Sequence, residues 1–313
     1  MKKYLTLSFV FICLTCDSFA SEDLAHNAAP PPLPTTSLNF FSQSVADKIT
    51  SEIPGFLPDG VANIIGGYSS CMGDDSINEF VQSFPPGIVS LTVKDSEITV
   101  AGLNALTRLM PRRIHTLILD NNVYILEDGV SEWAGNIHKG FFRLELRRIP
   151  ISVKAAEAIG RNFSSDADIS TNLEYLNLNN TGIKYEALAP IILGLSSNPK
   201  PLLRSLELRG NGLNDTDIEQ IYDLLAQVPT LQNLDISGNP ITAKGFRLAK
   251  NYLIARPHNF NLVIDDVTIY GTNILRNAGF IMQHKKGPKS VWIHRTIVGE
   301  TPLVKRVEVI IKP

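Results

Sequence analysis

Between residues 88 and 258 the apolar positions change rhythm in a repeating way. A short segment with leucines two apart gives way to a turn, then to a segment with apolar residues three and four apart. The alternation is clearest in Leu203, Leu206, Leu208, Asn211 and Leu213, which return as Leu231, Leu234, Ile236, Asn239 and Ile241. Residues two apart share one face of a strand, and residues three and four apart share one face of a helix. Each unit is therefore predicted to be a strand, a turn and a helix, the helix over 217–227 carrying Ile218, Ile221, Leu224 and Leu225 on one side. Phe246, Leu248, Ala249 and Leu253 are expected to line the helix of the next unit. A fixed return of this kind marks stacked repeats, each burying half a core against its neighbour.

Four weaker copies lie upstream. Ile114, Leu117, Leu119, Asn122 and Tyr124 keep the asparagine, whereas Leu173, Leu176, Leu178, Thr181 and Ile183 carry threonine in its place. Phe141, Leu144, Leu146, Ile149 and Ile151 have isoleucine there, and Ile88, Leu91, Val93, Ser96 and Ile98 have serine. The six units begin at 88, 114, 141, 173, 203 and 231, and a degenerate seventh with Leu262, Ile264 and Ile269 is expected near Asn259. The asparagine belongs at the turn because its amide can satisfy backbone groups that a bending chain leaves unpaired. Stretched helix-to-strand loops are expected at 164–168 and 196–201.

The template resembles that of leucine-rich repeat proteins of the ribonuclease-inhibitor-like class. Asn239-Pro240-Ile241-Thr242-Ala243-Lys244-Gly245 is typical of that class, and Ile98-Thr99-Val100-Ala101-Gly102-Leu103 is similar to it. The resemblance implies an α/β solenoid, a horseshoe with a parallel inner sheet and outer helices. Solenoid ends need caps. A helical N-terminal cap is expected over 37–87, from the patterns at Val45–Ile53 and Ile77–Phe84. A C-terminal β-hairpin cap is expected within 259–313, pairing 291–298 with 304–311 across Gly299-Glu300-Thr301-Pro302.

The amino terminus adds a targeting segment. Met1-Lys2-Lys3, an apolar run from Tyr4 to Leu14 and Ser18-Phe19-Ala20 have the layout of a secretory signal peptide over 1–20, cleaved after Ala20. The expected localisation is secreted or periplasmic, and the short Lys-Lys start is of the bacterial kind. Residues 21–36 form a Pro-rich linker with Pro30-Pro31-Pro32-Leu33-Pro34. Neither Cys13 nor Cys16 follows the small residues of a bacterial lipoprotein cleavage site. Cleavage would leave Cys71 alone, with no intramolecular disulfide and no cysteine-based zinc site. It would also take two lysines and one aspartate from 29 basic and 31 acidic residues, leaving a formal charge of −3. That balance predicts no nucleic-acid partner.

Catalytic signatures are missing from the sequence: no G-x-S-x-G, no H-E-x-x-H, no phosphate-cradling or dinucleotide glycine motif. The expectation is a non-enzymatic module without cofactor or metal, binding a protein partner on the concave face. Residues between the inward leucines should stack in two columns there. One runs Thr92, Ile118, Glu145, Asn177, Glu207, Asp235, and the other Lys94, Asp120, Arg147, Asn179, Arg209, Ser237. With Arg143, Tyr175 and Arg204 beside them, the middle units offer the arginine and tyrosine that interfaces favour. The expected contact residues are Arg143, Glu145, Arg147, Tyr175, Asn177, Asn179, Arg204, Glu207, Arg209 and Asp235. Arg148 should lie close by, and His115 should lie on the same sheet.

A second resemblance keeps an alternative open. Leu57-Pro58-Asp59-Gly60-Val61 with Ile65 and Tyr68 is similar to the start of an F-box, a helical motif that docks ubiquitin-ligase scaffolds. It implies a host-directed adaptor in an exported bacterial protein. The segment 283–313, with seven Lys/Arg against two Glu, is read as a solvated basic face.

Overall fold

The computed structural model describes residues 88–137, 140–164, 172–197, 201–255 and 260–265, four outlying strands, and single residues within 73–81 and 275–277. Its strands are β1 (Thr36–Phe40), β2 (Val61–Gly66), β3 (Ser90–Lys94), β4 (Thr116–Asp120), β5 (Arg143–Arg147) and β6 (Tyr175–Asn177). They continue as β7 (Ser205–Glu207), β8 (Asn233–Asp235), β9 (Asn261–Asp265), β10 (Phe280–Lys286) and β11 (Lys289–His294). All belong to one open sheet in the order β1-β2-β3-β4-β5-β6-β7-β8-β9-β11-β10. Neighbours from β1 to β9 are parallel, whereas β11 and β10 are antiparallel additions.

The helices alternate with the strands: α1 (Val100–Leu109), α2 (Glu127–Ala134), α3 (Val153–Phe163), α4 (Tyr185–Ser196), α5 (Asp215–Leu225), α6 (Ala243–Leu248) and α7 (Lys250–Ala255). Leu91, Leu117, Leu144, Leu176, Leu206, Leu234 and Leu262 are paired in register across seven strands, and every one is buried. This row meets the apolar faces of the helices, so each unit completes its neighbour's core. The chain is an α/β leucine-rich repeat solenoid.

Two repeated devices join unit to unit. Asn211 Oδ1 accepts from the Thr181 and Gly182 amides at 2.8 and 2.9 Å, while its Nδ2 donates to the Leu178 and Leu208 carbonyls. Asn239 repeats this one unit on, accepting from the Asn211 and Leu213 amides. Both asparagines are buried with their amide groups satisfied, as the turn requires. The second device explains the Thr-x-x-Gly phrase. Asp215 accepts from the Thr242 amide at 2.7 Å and from its hydroxyl at 2.6 Å, and a Cβ on Gly245 would stand 2.6 Å from that carboxylate. Asp74, Thr99 and Gly102 reproduce the arrangement near the other end. Helices α3 and α4 also approach closely: a Cβ on Gly160 would lie 2.1 Å from the Pro190 carbonyl oxygen.

Five expectations need correction. In the second unit Ile125, not Tyr124, fills the core, and Tyr124 is exposed. The loop carries one extra residue after Asn122, which shifts the inward position. Leu248 is exposed because Phe246 and Ala249 take the core side of α6. The cap over 37–87 is helical at Ile77 and Val81 but also holds two strands: the β-branched stretch Val61–Gly66 pairs with β3 and β1 and prolongs the sheet. That strand also falls inside the F-box-like stretch, where a helix was implied. A hairpin does cap the C-terminal side, but it is β10 with β11. Since β11 pairs with β10 on one side and β9 on the other, Val291–His294 has no edge left for 304–311. The signal peptide, the Pro-rich linker, Val45–Ile53, Cys71, Ile269 and residues 295–313 lie outside the described residues.

Candidate partner-binding face

Strand alternation sends Thr92, Ile118, Glu145, Asn177, Glu207 and Asp235 to the face opposite the helices. Sheet register links each of them directly to the next. The second column is in register from Lys94 through Asp120 to Arg147, and Asn179, Arg209 and Ser237 follow the shorter strands β6 to β8. Asp120 and Ser237 are buried, so this column is only partly open to solvent.

The centre is a connected polar lattice. Glu145 is 2 % exposed and lies between two arginines. Arg143 Nε donates to its Oε1 at 2.6 Å, and Arg147 Nε is 3.1 Å from its Oε2. Arg147 also stands 3.4 Å from Asp120, whose other oxygen is 2.7 Å from Arg148. The Arg143 guanidinium lies over the Tyr175 ring, 4.0 Å from its centroid, a cation–π arrangement. The Tyr175 hydroxyl donates to Glu207, and Asn177 and Asn179 donate to the other Glu207 oxygen at 2.8 and 2.9 Å. Asn179 Oδ1 accepts in turn from the Arg209 amide at 2.7 Å. Burial, reinforced by Glu207, raises the Tyr175 pKa, so its hydroxyl is a fixed donor.

The residues expected to form a site are thus brought together, in two layers. Glu145 and Asn177 are buried and hold their neighbours, while Arg143, Arg147, Tyr175, Asn179, Glu207, Arg209 and Asp235 are partly open. Arg204 stands apart at the opposite end of β7, exposed and 3.0 Å from Glu174. His115 is exposed just before β4 rather than on the face proper. Sequence reasoning missed Asp265. Its carboxylate accepts from the Gly238 amide at 2.6 Å and extends the face beyond Asp235. The alternation of Leu262 and Ile264 carried that signal.

Charge is unevenly spread. From β3 to β5 and the turns after them, Lys94, Arg143, Arg147 and Arg148 stand against Asp95, Asp120 and Glu145. Two of those three acids are buried beneath the guanidiniums. From β7 to β9, Glu207, Asp235 and Asp265 stand against Arg209 alone. Burial pushes the Asp235 carboxyl up to about 6; the Ser237 bonds pull it down, Glu207 adds to the rise, and Arg209 opposes it. Among the described residues no group of His, Cys, Asp and Glu is placed to hold a metal, and no helix is long and apolar enough to cross a membrane.

Comparison with known proteins bears on this arrangement. A family model described as a leucine-rich repeat matches residues 200–221 and 229–246. No curated protein matches. Among solved structures, the chain is similar to one from the yeast Rad7 and Elc1 complex, at 13 % identity and a TM-score of 0.49, over 73 % of this chain and 62 % of that one. It is similar to an internalin of Listeria monocytogenes at 20 % identity and 0.38, over 58 % and 43 %. A Bacteroides fragilis protein aligns at 14 % identity and 0.43, over 70 % and 68 %. The chain therefore spans less than two thirds of the first two. Matched repeats, an in-register leucine row and bonded turn asparagines make residues 200–246 leucine-rich repeats within a solenoid of that fold.

Proposed function

We propose that this chain is a protein-binding module that holds its partner on the open face of the sheet, across β5 to β8, without chemistry of its own. The observation that carries the reading is the lattice around Glu145 and Glu207. It fixes Arg143, Arg147, Tyr175 and Asn179 in place before any partner arrives. Preorganised arginine and tyrosine side chains lose little entropy on binding, and these types dominate interface hot spots. Arg209, Asp235 and Arg143 supply the accessible contacts, whereas Glu145 holds Arg143 and Arg147, and Asn177 holds Glu207. Repeat solenoids present extended surfaces suited to this use. The F-box-like adaptor is not carried forward, because its residues 61–66 form a strand.

Export through residues 1–20 belongs to the same proposal, and intact mass of the exported protein should show Ser21 as its first residue. The binding face is tested by capturing a partner with the full chain and comparing Arg209→Glu with Lys250→Glu, a reversal on the helical side. Loss of affinity in the first variant alone supports the sheet face. Loss in the second alone refutes it.

A further inference from the structure

The repeats act as one another's controls at the loops that leave the C-terminal ends of the strands. Each begins with a residue of positive φ: Asp95, Asn121, Arg148, Asn180, Gly210 and Gly238. Glycine, asparagine and aspartate suit that left-handed conformation, and five units use them. Arg148, at φ 56°, is the exception. A long side chain is strained there, and the Arg148 side chain remains 45 % exposed.

The neighbouring unit departs from the pattern in another way. Exposed positions just past this turn elsewhere are Glu97, Pro150, Gly182, Gly212 and Pro240. In the loop after β4 they are Val123, Tyr124 and Leu126, at 59, 52 and 68 % exposure. The two loops are adjacent, since the Asn121 amide donates to the Arg147 carbonyl at 3.0 Å. Val153, at the start of α3 in the second loop's own unit, is also exposed. The first departure strains the backbone, although Arg148 also pairs with buried Asp120 at 2.7 Å, and the second exposes apolar surface to water.

We infer that this loop edge, formed by Val123, Tyr124, Leu126 and Arg148, is a docking site for an extended acidic peptide segment of a partner protein that also carries an apolar side chain. The charge argument identifies the occupant. Arg147 and Arg148, at the loop end of β5, are partly exposed, while Asp120 and Glu145, which pair with them, are buried below. An approaching chain therefore meets guanidinium groups first, and a carboxylate there makes charge-assisted, potentially bidentate bonds. Beside them the valine, tyrosine and leucine offer the apolar contact. The inference rests on the proposed protein-binding role and extends it from the sheet face onto the adjoining loop edge.

The test uses the full chain and a displayed library of random peptides about twelve residues long. Selected peptides should be enriched in Asp and Glu together with an aliphatic or aromatic residue. The affinity of a synthetic copy should fall by about tenfold or more in Arg148→Asn and in the double variant Tyr124→Ser, Leu126→Ser. In Arg148→Asn the relieved left-handed turn offsets part of the lost contact with Asp120, which keeps Arg147, so the variant should still fold and melt cooperatively. Arg209→Glu should bind the peptide normally. Failure to select peptides, selection without acidic enrichment, or parental affinity in both edge variants would overturn the inference. Binding lost only in Arg209→Glu would support the sheet face and overturn the edge.

Discussion

Arg147 and Arg209 occupy the same template position in units two apart, yet replacing each with methionine should have different consequences. Arg147 lies between two buried carboxylates, 3.4 Å from Asp120 and 3.1 Å from Glu145. Stripping a buried carboxylate of every partner costs about 3–5 kcal/mol. Here Asp120 keeps Arg148 and Glu145 keeps Arg143, so the loss is closer to that of a charged hydrogen bond, about 1.5–3 kcal/mol. Arg209 acts on Asp235 and Asp265 through longer-range charge. Methionine there should cost about 0–1 kcal/mol, as for an exposed pair. Urea unfolding of both variants against the parent chain measures the difference as a change in midpoint at constant slope. Equal midpoint shifts would refute the claim that Glu145 and Asp120 are held by Arg147.

Three further outcomes follow from the same geometry. The raised Asp235 pKa, about 6 against about 3.9 in the unfolded chain, means the folded state binds the proton more tightly, so this group's contribution falls as pH rises from about 4 through 6. Asp235→Asn should therefore raise the melting temperature relative to the parent at pH 7 and leave it unchanged near pH 4; thermal scans at both values check it. Gly160→Ala forces a Cβ against the Pro190 carbonyl and should cost about 1–3 kcal/mol, whereas Gly135→Ala meets only an ordinary contact at 3.7 Å, a contrast that chemical denaturation resolves. Asn211→Ala leaves the Thr181 and Gly182 amides and the Leu178 and Leu208 carbonyls without their partner, at about 1–3 kcal/mol for each group that stays dry. Hydrogen exchange at Thr181 and Gly182 should accelerate.

The leucine rows and the turn asparagines were legible because burial on one strand face and a bonded turn each demand a particular residue type at a fixed offset. The column from Thr92 to Asp235 followed from that offset and coincides with the sheet register. Ile125 was missed because one extra loop residue changes the inward position while the leucine spacing around it stays intact. β2 was missed because Val61–Gly66 has no leucine template and its pairing depends on β1 and β3, distant in sequence. The hairpin was placed one strand too late, since alternation marks a strand without naming its partner. Least visible of all was the layering of the face. Glu145 and Glu207 look alike in the sequence, but only Glu145 is buried, because two arginines close over it from its own strand.

The account's central claim is that the partner sits on the sheet face and not on the helices. A photocrosslinking residue placed at position 209, and separately at position 250, tests it most directly in cells that make the protein. Position 209 lies beside Asp235 on the open face, and position 250 begins α7 on the exposed helical side. The account predicts a covalent adduct with one partner from position 209 and none from position 250. An adduct from position 250 alone would contradict it.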